Sequence, residues 1–509
     1  MHAAKNNRTE SNVQRTPDRR RTAVSDLTAF LYLVRIRPSL DIIIYTGDQT
    51  MKDLAEFFKS NHERYMEELF ELLEIESIST NSEKLKEMKA AATWIEKHLN
   101  GIGLQNVRQY PTKGNPVVYG EWLGAKGMPT VLIYGHYDVQ PVEPLDLWNT
   151  GPFKPEIKGS KIFARGSADD KGQVFIHFKM IEAFLKTRGE LPVNVKVIVE
   201  GEEEIGSTHL ADFVKKNRKL LNCDLILVSD TNMQGKNTPS ITYGLRGLTY
   251  LEVSVTSLSG DQHSGTFGGA VANPIQVLAE ILVKCKDPVT GKVKIPGFYD
   301  DVVKLTKRDR EELDRIPHDD ALYAKKLGAV KTFGEKGFST IERTGARPTF
   351  EVNGIWGGHT GAGVKTVLPA QAHAKVSMRL VAKQDPAKIA KLFVEHVKNV
   401  APDTVKVNVK MYENNGYAAL TPLDSPGMTA ASAAIQRVYK SDPYFTREGG
   451  SIPVVADFQH LLGVDVILLG FGLPDDNIHA PNEKFDVSQF KNGLLTSAAF
   501  LEEYAGLKV

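Results

Sequence analysis

The chain has almost no cysteine: Cys223 and Cys285 are the only two in 509 residues. That excludes a disulfide framework and favours a reducing compartment, so a cytoplasmic location is expected. It has no uninterrupted apolar run of about 18 residues, which excludes a transmembrane helix of the usual kind. It has no surplus of charge. Its 63 basic residues stand against 62 acidic ones, for a formal net charge of +1, so nothing draws it electrostatically to nucleic acid or to an anionic membrane. Internal repeats and low-complexity tracts are also missing. What remains is an ordinary globular composition, 41% apolar and 25% charged, over a length that suits two domains better than one.

The first 50 residues differ from the rest. Residues 1–22 are polar and Arg-rich, and the apolar stretch 27–34 is cut short by Arg35 and Arg37, which makes a poor secretory signal. Glu10, Asp18, Asp26, Asp41 and Asp48 argue against a transit peptide. Residues 1–50 are expected to be a disordered extension or a mis-assigned one, with Met51 as the alternative start.

From Met51 the pattern becomes regular. Leu54, Phe57, Phe58, Tyr65, Leu69 and Leu72 have helical spacing, as do Leu85, Met88, Ala92, Ile95 and Leu99, with Gly101 as a C-terminal cap. Residues 130–134, 193–199 and 225–228 read as buried strands. A helix opening after Asp170 puts Val174, Phe178, Ile181 and Leu185 on one face. Strands alternating with helices imply an α/β architecture, a central sheet flanked by helices. Near Gly247 the character changes. Leu251, Val253 and Val255 alternate with polar residues, as do Val376, Met378 and Leu380, and Val405, Val407, Val409 and Met411. Ile275, Leu278, Leu282 and Cys285 mark one helix between them. Asp385-Pro386 supplies the cap and first-turn proline of another, through Ile389, Leu392 and Phe393. One-sided strands with helices suggest a small α+β domain, inserted at residues 247–417 between the parts 51–246 and 418–509 of a larger one.

The most informative stretch is Glu202-Glu203-Glu204, just after the strand 193–199. Adjacent carboxylates repel, and a folded chain rarely packs them together without a cation. Other fragments stand in similar places: His136 and Asp138 after the strand 130–134, Asp169 and Asp170 in a glycine-flanked turn, Asp230 after the strand 225–228, and His479 in a polar loop. Alone, each has a plainer reading as a loop His-X-Asp, a helix cap, a solvated acidic turn, a turn-forming aspartate or a surface histidine. Together they suggest oxygen and imidazole ligands converging on divalent metal at the ends of a sheet.

From about Met51 onward the sequence resembles the co-catalytic metallopeptidases that include carboxypeptidase G, aminoacylase and the nonspecific dipeptidase and carnosinase branch. The likeness is carried by Gly135-His136-Tyr137-Asp138-Val139-Gln140-Pro141, Arg165-Gly166-Ser167-Ala168-Asp169-Asp170-Lys171-Gly172, Glu200-Gly201-Glu202-Glu203-Glu204-Ile205-Gly206-Ser207 and His263-Ser264-Gly265. Tyr243-Gly244-Leu245-Arg246-Gly247 and Arg447-Glu448-Gly449-Gly450-Ser451-Ile452-Pro453 point to the dipeptidase branch in particular.

The resemblance implies two divalent metal ions per subunit, Zn²⁺ foremost and Mn²⁺ or Co²⁺ as substitutes. His136 and Asp230 would hold one, Glu204 and His479 the other, and Asp169 would bridge them, with a cis peptide between Asp169 and Asp170. Asp138 would support His136, and Glu203 would be the general base. His263, in the inserted domain, would stabilise the oxyanion in the active site of a partner subunit, which implies a homodimer paired through that domain. Arg379 and Thr366 would bind the far end of a short peptide, and Glu448, Gly450 and Ser451 would line the pocket near its carboxylate. One departure stands out. Carnosinase-type members carry Gly-His-Gly-Gly where this chain reads Glu413-Asn414-Asn415-Gly416, which argues against a carnosine-type substrate but not against peptide hydrolysis. His359 has no counterpart in the family and reads as a loop residue. The expected activity is dipeptide hydrolysis. The alternatives are a deacylase acting on N-acyl amino acids or a carboxypeptidase of the same family. A catalytically dead scaffold on the same fold would lack a ligand or the base, and none is missing.

Overall fold

The structure, a computed structural model, describes residues 47–412, 415–450 and 452–507. The expectations placed on residues 1–46, on Glu413 and Asn414 and on Ser451 lie outside the described residues. The first helix, Gly47–Ser60, begins ahead of Met51. The helical pattern that follows is two helices, with Asn61 between Gly47–Ser60 and His62–Leu73. The helix Leu85–Gly101 runs through Gly101, and the left-handed residue that turns the chain is Gly103, at φ 106°.

Valine-rich strands alternating with helices build a large mixed sheet, nine-stranded among the described residues. Its middle is four parallel strands in the order Asn194–Glu200, Thr130–His136, Leu225–Val228 and Asp465–Leu468. Gln105–Tyr110 and Val117–Trp122 extend it on one side, and Ser240–Leu245 with Ala419–Leu420 and Tyr444–Glu448 on the other. Side chains alternate across the pleat. Val131, Ile133, Val195 and Val197 enter the core on one face, and Leu132, Tyr134 and Ile198 the core on the other. Both faces are therefore covered, as a parallel sheet requires.

The helix Lys171–Arg188 is buried at every residue from Lys171 to Phe184. It packs against the Thr130–His136 strand and the C-terminal helix Val487–Gly506, so the one-faced helix expected from Val174, Phe178 and Ile181 is enclosed all round. Its start is pressed against the sheet. A Cβ at Gly135 would lie 2.4 Å from Val174 Cγ2, and one at Gly172 would lie 1.9 Å from the Ser167 carbonyl oxygen. Glycine is the residue that permits both approaches.

A second, four-stranded antiparallel sheet runs Thr349–Gly357, Gln371–Leu380, Gly247–Thr256, Lys406–Met411. The helices Pro274–Cys285 and Pro386–Val400 cover one face, around Leu251, Val253, Val376, Met378 and Phe393. The Asp385 side chain caps its helix by accepting the Lys388 N–H. In Pro274–Cys285 the buried stripe is Val277, Leu278, Ile281 and Cys285, while Ile275 at the first turn is exposed and Leu282 is only partly buried. A third sheet, Glu156–Lys158, Lys161–Phe163 and Lys484–Asp486, brings the loop after His479 beside the Gly166 turn. Both cysteines are free and buried. Among the described residues no helix is long and apolar enough to cross a membrane.

Candidate active site

The four parallel strands end at the same edge of the large sheet, and the segments that leave them carry the candidate ligands. This is where open α/β sheets bind their ligands. His136 is the last residue of its strand and fully buried. Its Nδ1 lies 3.0 Å from the Asp138 carbonyl oxygen, an acceptor only, so Nδ1 carries a proton. Nε2 faces Asp169 Oδ1 at 3.1 Å and Asp230 Oδ2 at 3.9 Å. The other oxygen of Asp169, Oδ2, lies 2.8 Å from His479 Nε2, which is also 3.2 Å from Glu204 Oε2. Ligand atoms of His136, Asp169 and Asp230 lie within 4.8 Å of one another, and so do those of Asp169, Glu204 and His479. The Asp169–Asp170 peptide is cis, as the resemblance implied.

The acidic run separates its three members. Glu202 turns away, with His209 Nδ1 2.8 Å from its Oε2 and the Asn115 N–H donating to its Oε1 at 3.2 Å. Glu203 and Glu204 form a short 3₁₀ turn toward the centre. Asp138 holds that turn: its Oδ1 accepts the Glu203 N–H at 3.2 Å and its Oδ2 the Glu204 N–H at 3.1 Å. The nearer support to His136 is thus the Asp138 carbonyl, with the carboxylate oxygen at 3.4 Å.

Charge states show how the cluster is strained. Burial raises the Asp230 carboxyl well above its usual range, helped by Asp169. Burial also lifts Glu203 to about 7, with Asp169, Glu204 and Asp138 adding to the push and His136 opposing it. Burial would raise Asp169 too, but hydrogen bonds from His136 and His479 hold it low. The bonds of His479 to Asp169 and then Glu204 raise His479 to about 10. Crowded carboxylates and imidazoles therefore need extra protons to coexist. A neutral imidazole Nε2 facing carboxylate oxygens at 2.8–3.1 Å is repulsive unless a proton or a cation lies between them. Oxygen and nitrogen donors in this number suit divalent metal.

Other expected residues lie elsewhere. His263 and Thr366 are exposed and meet on a small ribbon, where Gln262–His263 pairs with Val367–Leu368 and the Ser264 N–H donates to the Thr366 carbonyl. Neither belongs to the two ligand groups. Arg379 is half-buried on the small sheet, and burial lowers its pKa. Glu448 ends a strand of the large sheet and accepts the Thr242 hydroxyl at 2.9 Å; burial raises its carboxyl. Gly450 is exposed beside it, and His359 is an exposed loop residue.

Sequence reasoning missed Glu483. Fully buried, it accepts Arg165 Nη1 at 2.7 Å, the Gly166 N–H at 3.0 Å, the Ala168 N–H at 2.9 Å and the Asp169 N–H at 3.1 Å. It fixes the turn that presents Asp169. Its signal was position alone, four residues after His479 and before the strand Lys484–Asp486. Gln140 was also missed as a partner; its Nε2 donates to Glu204 Oε2 at 2.8 Å.

The sequence profile of peptidase family M20/M25/M40 matches residues 132–503, a span that contains every segment of the centre. The chain belongs to this peptidase family. The peptidase is 34% identical over 462 residues to a Cys-Gly metallodipeptidase of Candida albicans, covering 87% of this chain and 94% of that one. It is 32% identical over 396 residues to human Beta-Ala-His dipeptidase, covering 77% and 78%. Its fold matches the M20 family metallo-carboxypeptidase Sso-CP2 of Sulfolobus solfataricus with a TM-score of 0.75 at 33% identity, over 87% of this chain and 99% of that one. The peptidase is a metal-dependent hydrolase, and its own residues form groups suited to hold the metal.

Proposed function

We propose that this peptidase is a dinuclear metallo-dipeptidase. His136 and Asp230 would hold one divalent ion, Glu204 and His479 the other, and Asp169 would bridge them. The observation that carries the reading is the division of the Asp169 carboxylate, with Oδ1 toward His136 and Oδ2 toward His479. Zn²⁺ suits imidazole with carboxylate, and Mn²⁺ or Co²⁺ can replace it. Ions bound there supply Lewis acidity, which activates water near neutral pH and polarises the peptide carbonyl. The protein's own groups do the rest. The Glu203 carboxylate takes a proton from the attacking water and returns it to the leaving amine nitrogen. Asp138 keeps Glu203 and Glu204 in register through their N–H groups. Glu483 fixes the Asp169 turn.

Residues 51–246 and 418–509 form the catalytic domain in this reading, and 247–417 a lid and dimerisation domain. Arg379 and Thr366 bind the far end of the substrate, while Glu448, Gly450 and Ser451 line the pocket near its carboxylate. His263 donates to the oxyanion across a homodimer. An exposed edge strand, Thr349–Gly357, that presents Val352, Ile355 and Trp356 supports pairing through this domain. Two free cysteines support a cytoplasmic setting.

The names of the Candida albicans and human relatives favour dipeptides. The likeness to the Sulfolobus solfataricus protein supports a second reading, a carboxypeptidase acting on longer chains. The deciding experiment strips the metal and restores Zn²⁺, Mn²⁺ or Co²⁺ in turn against dipeptides, longer peptides and N-acyl amino acids. Restored cleavage of dipeptides above the other classes is expected. Faster release of C-terminal residues from longer peptides, or of acyl groups, would replace the reading.

A further inference from the structure

A cavity of about 470 Å³ lies on the outward face of the small sheet, lined there by Arg246, Ser377 and Arg379 and on its wall by Arg343. Strand register explains the grouping. Arg379 stands opposite Leu248, and Arg246 precedes Leu248 by two positions, so both guanidiniums leave the face opposite the core. Gly247 and Leu380, the alternate pair, are buried.

Arg246 sits where the large sheet's strand Ser240–Leu245 passes into the small sheet's strand Gly247–Thr256. Its N–H donates to the Glu448 carbonyl at 3.2 Å, and its side chain donates to the carbonyls of Gly449 and Arg343 at 3.4 Å each. A Cβ at Gly449 would lie 2.6 Å from Arg246 Nη2, so only glycine there lets the guanidinium lie so close. Arg246 therefore joins the two clusters assigned above to the substrate, Arg379 on one sheet and Glu448 to Gly450 on the other.

The cavity lining carries five cations and two carboxylates. Its two carboxylates, Glu335 and Glu351, are engaged by Arg347 in a two-bond fork at 2.8 Å and by Lys286 at 2.9 Å. Arg246, Arg343 and Arg379 add three more cations to the same lining. Burial, and then the neighbouring Arg379, lower Arg246 to about 10, while Glu351 opposes them, so Arg246 lies near both a second guanidinium and a carboxylate. An anion between such groups is held by charge-assisted, directional hydrogen bonds.

We propose that this cavity is a second anion subsite, and that it makes the enzyme prefer short peptides whose C-terminal residue is aspartate or glutamate. Arg379 takes the terminal carboxylate, and Arg246 with Arg343 takes the side-chain carboxylate. The inference rests on the dipeptidase reading for placing Arg379 at the substrate's far end, here taken as the end that carries the terminal carboxylate, and goes beyond it in naming the substrate class.

Ala-Glu and Ala-Gln test it, because they differ in charge and hardly in shape. On wild-type holoenzyme, kcat/KM for Ala-Glu should exceed that for Ala-Gln by on the order of tenfold. Arg343→Met should bring the ratio near one, and Arg246→Met should do the same; a ratio within one variant cancels losses common to both peptides. Calorimetry on Glu203→Gln protein should show the same preference in binding. Parity or a preference for Ala-Gln in wild type overturns the proposal, and so does a ratio that survives both substitutions. If neither variant folds, the wild-type ratio and the calorimetry decide. If no dipeptide is cleaved, the dipeptidase reading has failed, and N-acetyl-Glu against N-acetyl-Gln puts the same question to the subsite alone.

Discussion

Around Asp169, side chains from separate segments of the chain meet at one edge of the large sheet, where Asp138, Gln140 and Glu483 hold their neighbours in place. Around His263 and Thr366, two short strands pair at the surface, and both of these residues are exposed. The first region has more polar partners than it can satisfy without added cations. The second has an imidazole whose Nδ1 accepts the nearby Gly265 N–H at 3.0 Å and which reaches neither ligand group. The contrast teaches that chemistry and recognition are built separately. In the proposed reading, metal binding and proton transfer belong to one edge of the large sheet, whereas Arg379, assigned to the substrate's far end, rides on the small sheet, and His263 and Thr366 on a separate ribbon.

The sharpest way to break this comparison is at the base. Glu203→Gln removes a proton acceptor and no ligand, so turnover should fall by about 10³ or more while metal content stays at the wild-type level. Elemental analysis beside the activity assay checks both halves. A variant that loses metal as readily as Glu204→Gln would mean the two roles are misassigned within the acidic run.

A smaller effect is expected at the ribbon. His263→Ala should lower kcat by about 10²–10³, the usual cost of one oxyanion donor, and leave metal binding unchanged. Mixing it with Glu203→Gln under conditions of subunit exchange should restore activity above either parent, because in the proposed homodimer a mixed pair would hold one complete site. No recovery despite proven exchange would place His263 in the service of its own subunit.

The smallest effect probes rigidity. Glu483→Gln keeps the size of the side chain but turns an amide toward two N–H donors. Metal affinity measured against a competing chelator should weaken by about 10–100-fold, as outer-shell changes do, with a correspondingly modest loss of rate at saturating metal. Unchanged affinity would show that the Asp169 turn does not need its clamp.

The strand-end motifs were legible because each follows a buried apolar run, and the pleat and the parallel order then bring their ends together. Details set by backbone N–H groups were not. Asp138 reads as a partner of His136, yet its carboxylate holds the Glu203–Glu204 turn, which depends on a 3₁₀ conformation that no spacing reveals. Glu202 belongs to the acidic run without a role assigned to it, and His209 and Asn115 draw it away from the centre. Glu483, in a loop after Pro481, looks solvated until the short strand beside it closes over the Gly166 turn. The burial of the helix Lys171–Arg188 on all sides was equally hidden, since its Lys171, Lys179 and Glu182 suggest a wet face; Lys179 instead lies buried between Glu68 and Glu182. Arg246 stood inside a recognised motif without a role until strand register set it beside Arg379.

The central claim is that one carboxylate, Asp169, serves both halves of a two-metal centre. Metal per chain after equilibration with excess Zn²⁺ and desalting tests it directly. Wild type should retain about two ions, Asp230→Asn and Glu204→Gln about one each, and Asp169→Asn almost none. A wild-type value near one, or an Asp169→Asn variant that loses no more metal than Glu204→Gln, would contradict the account.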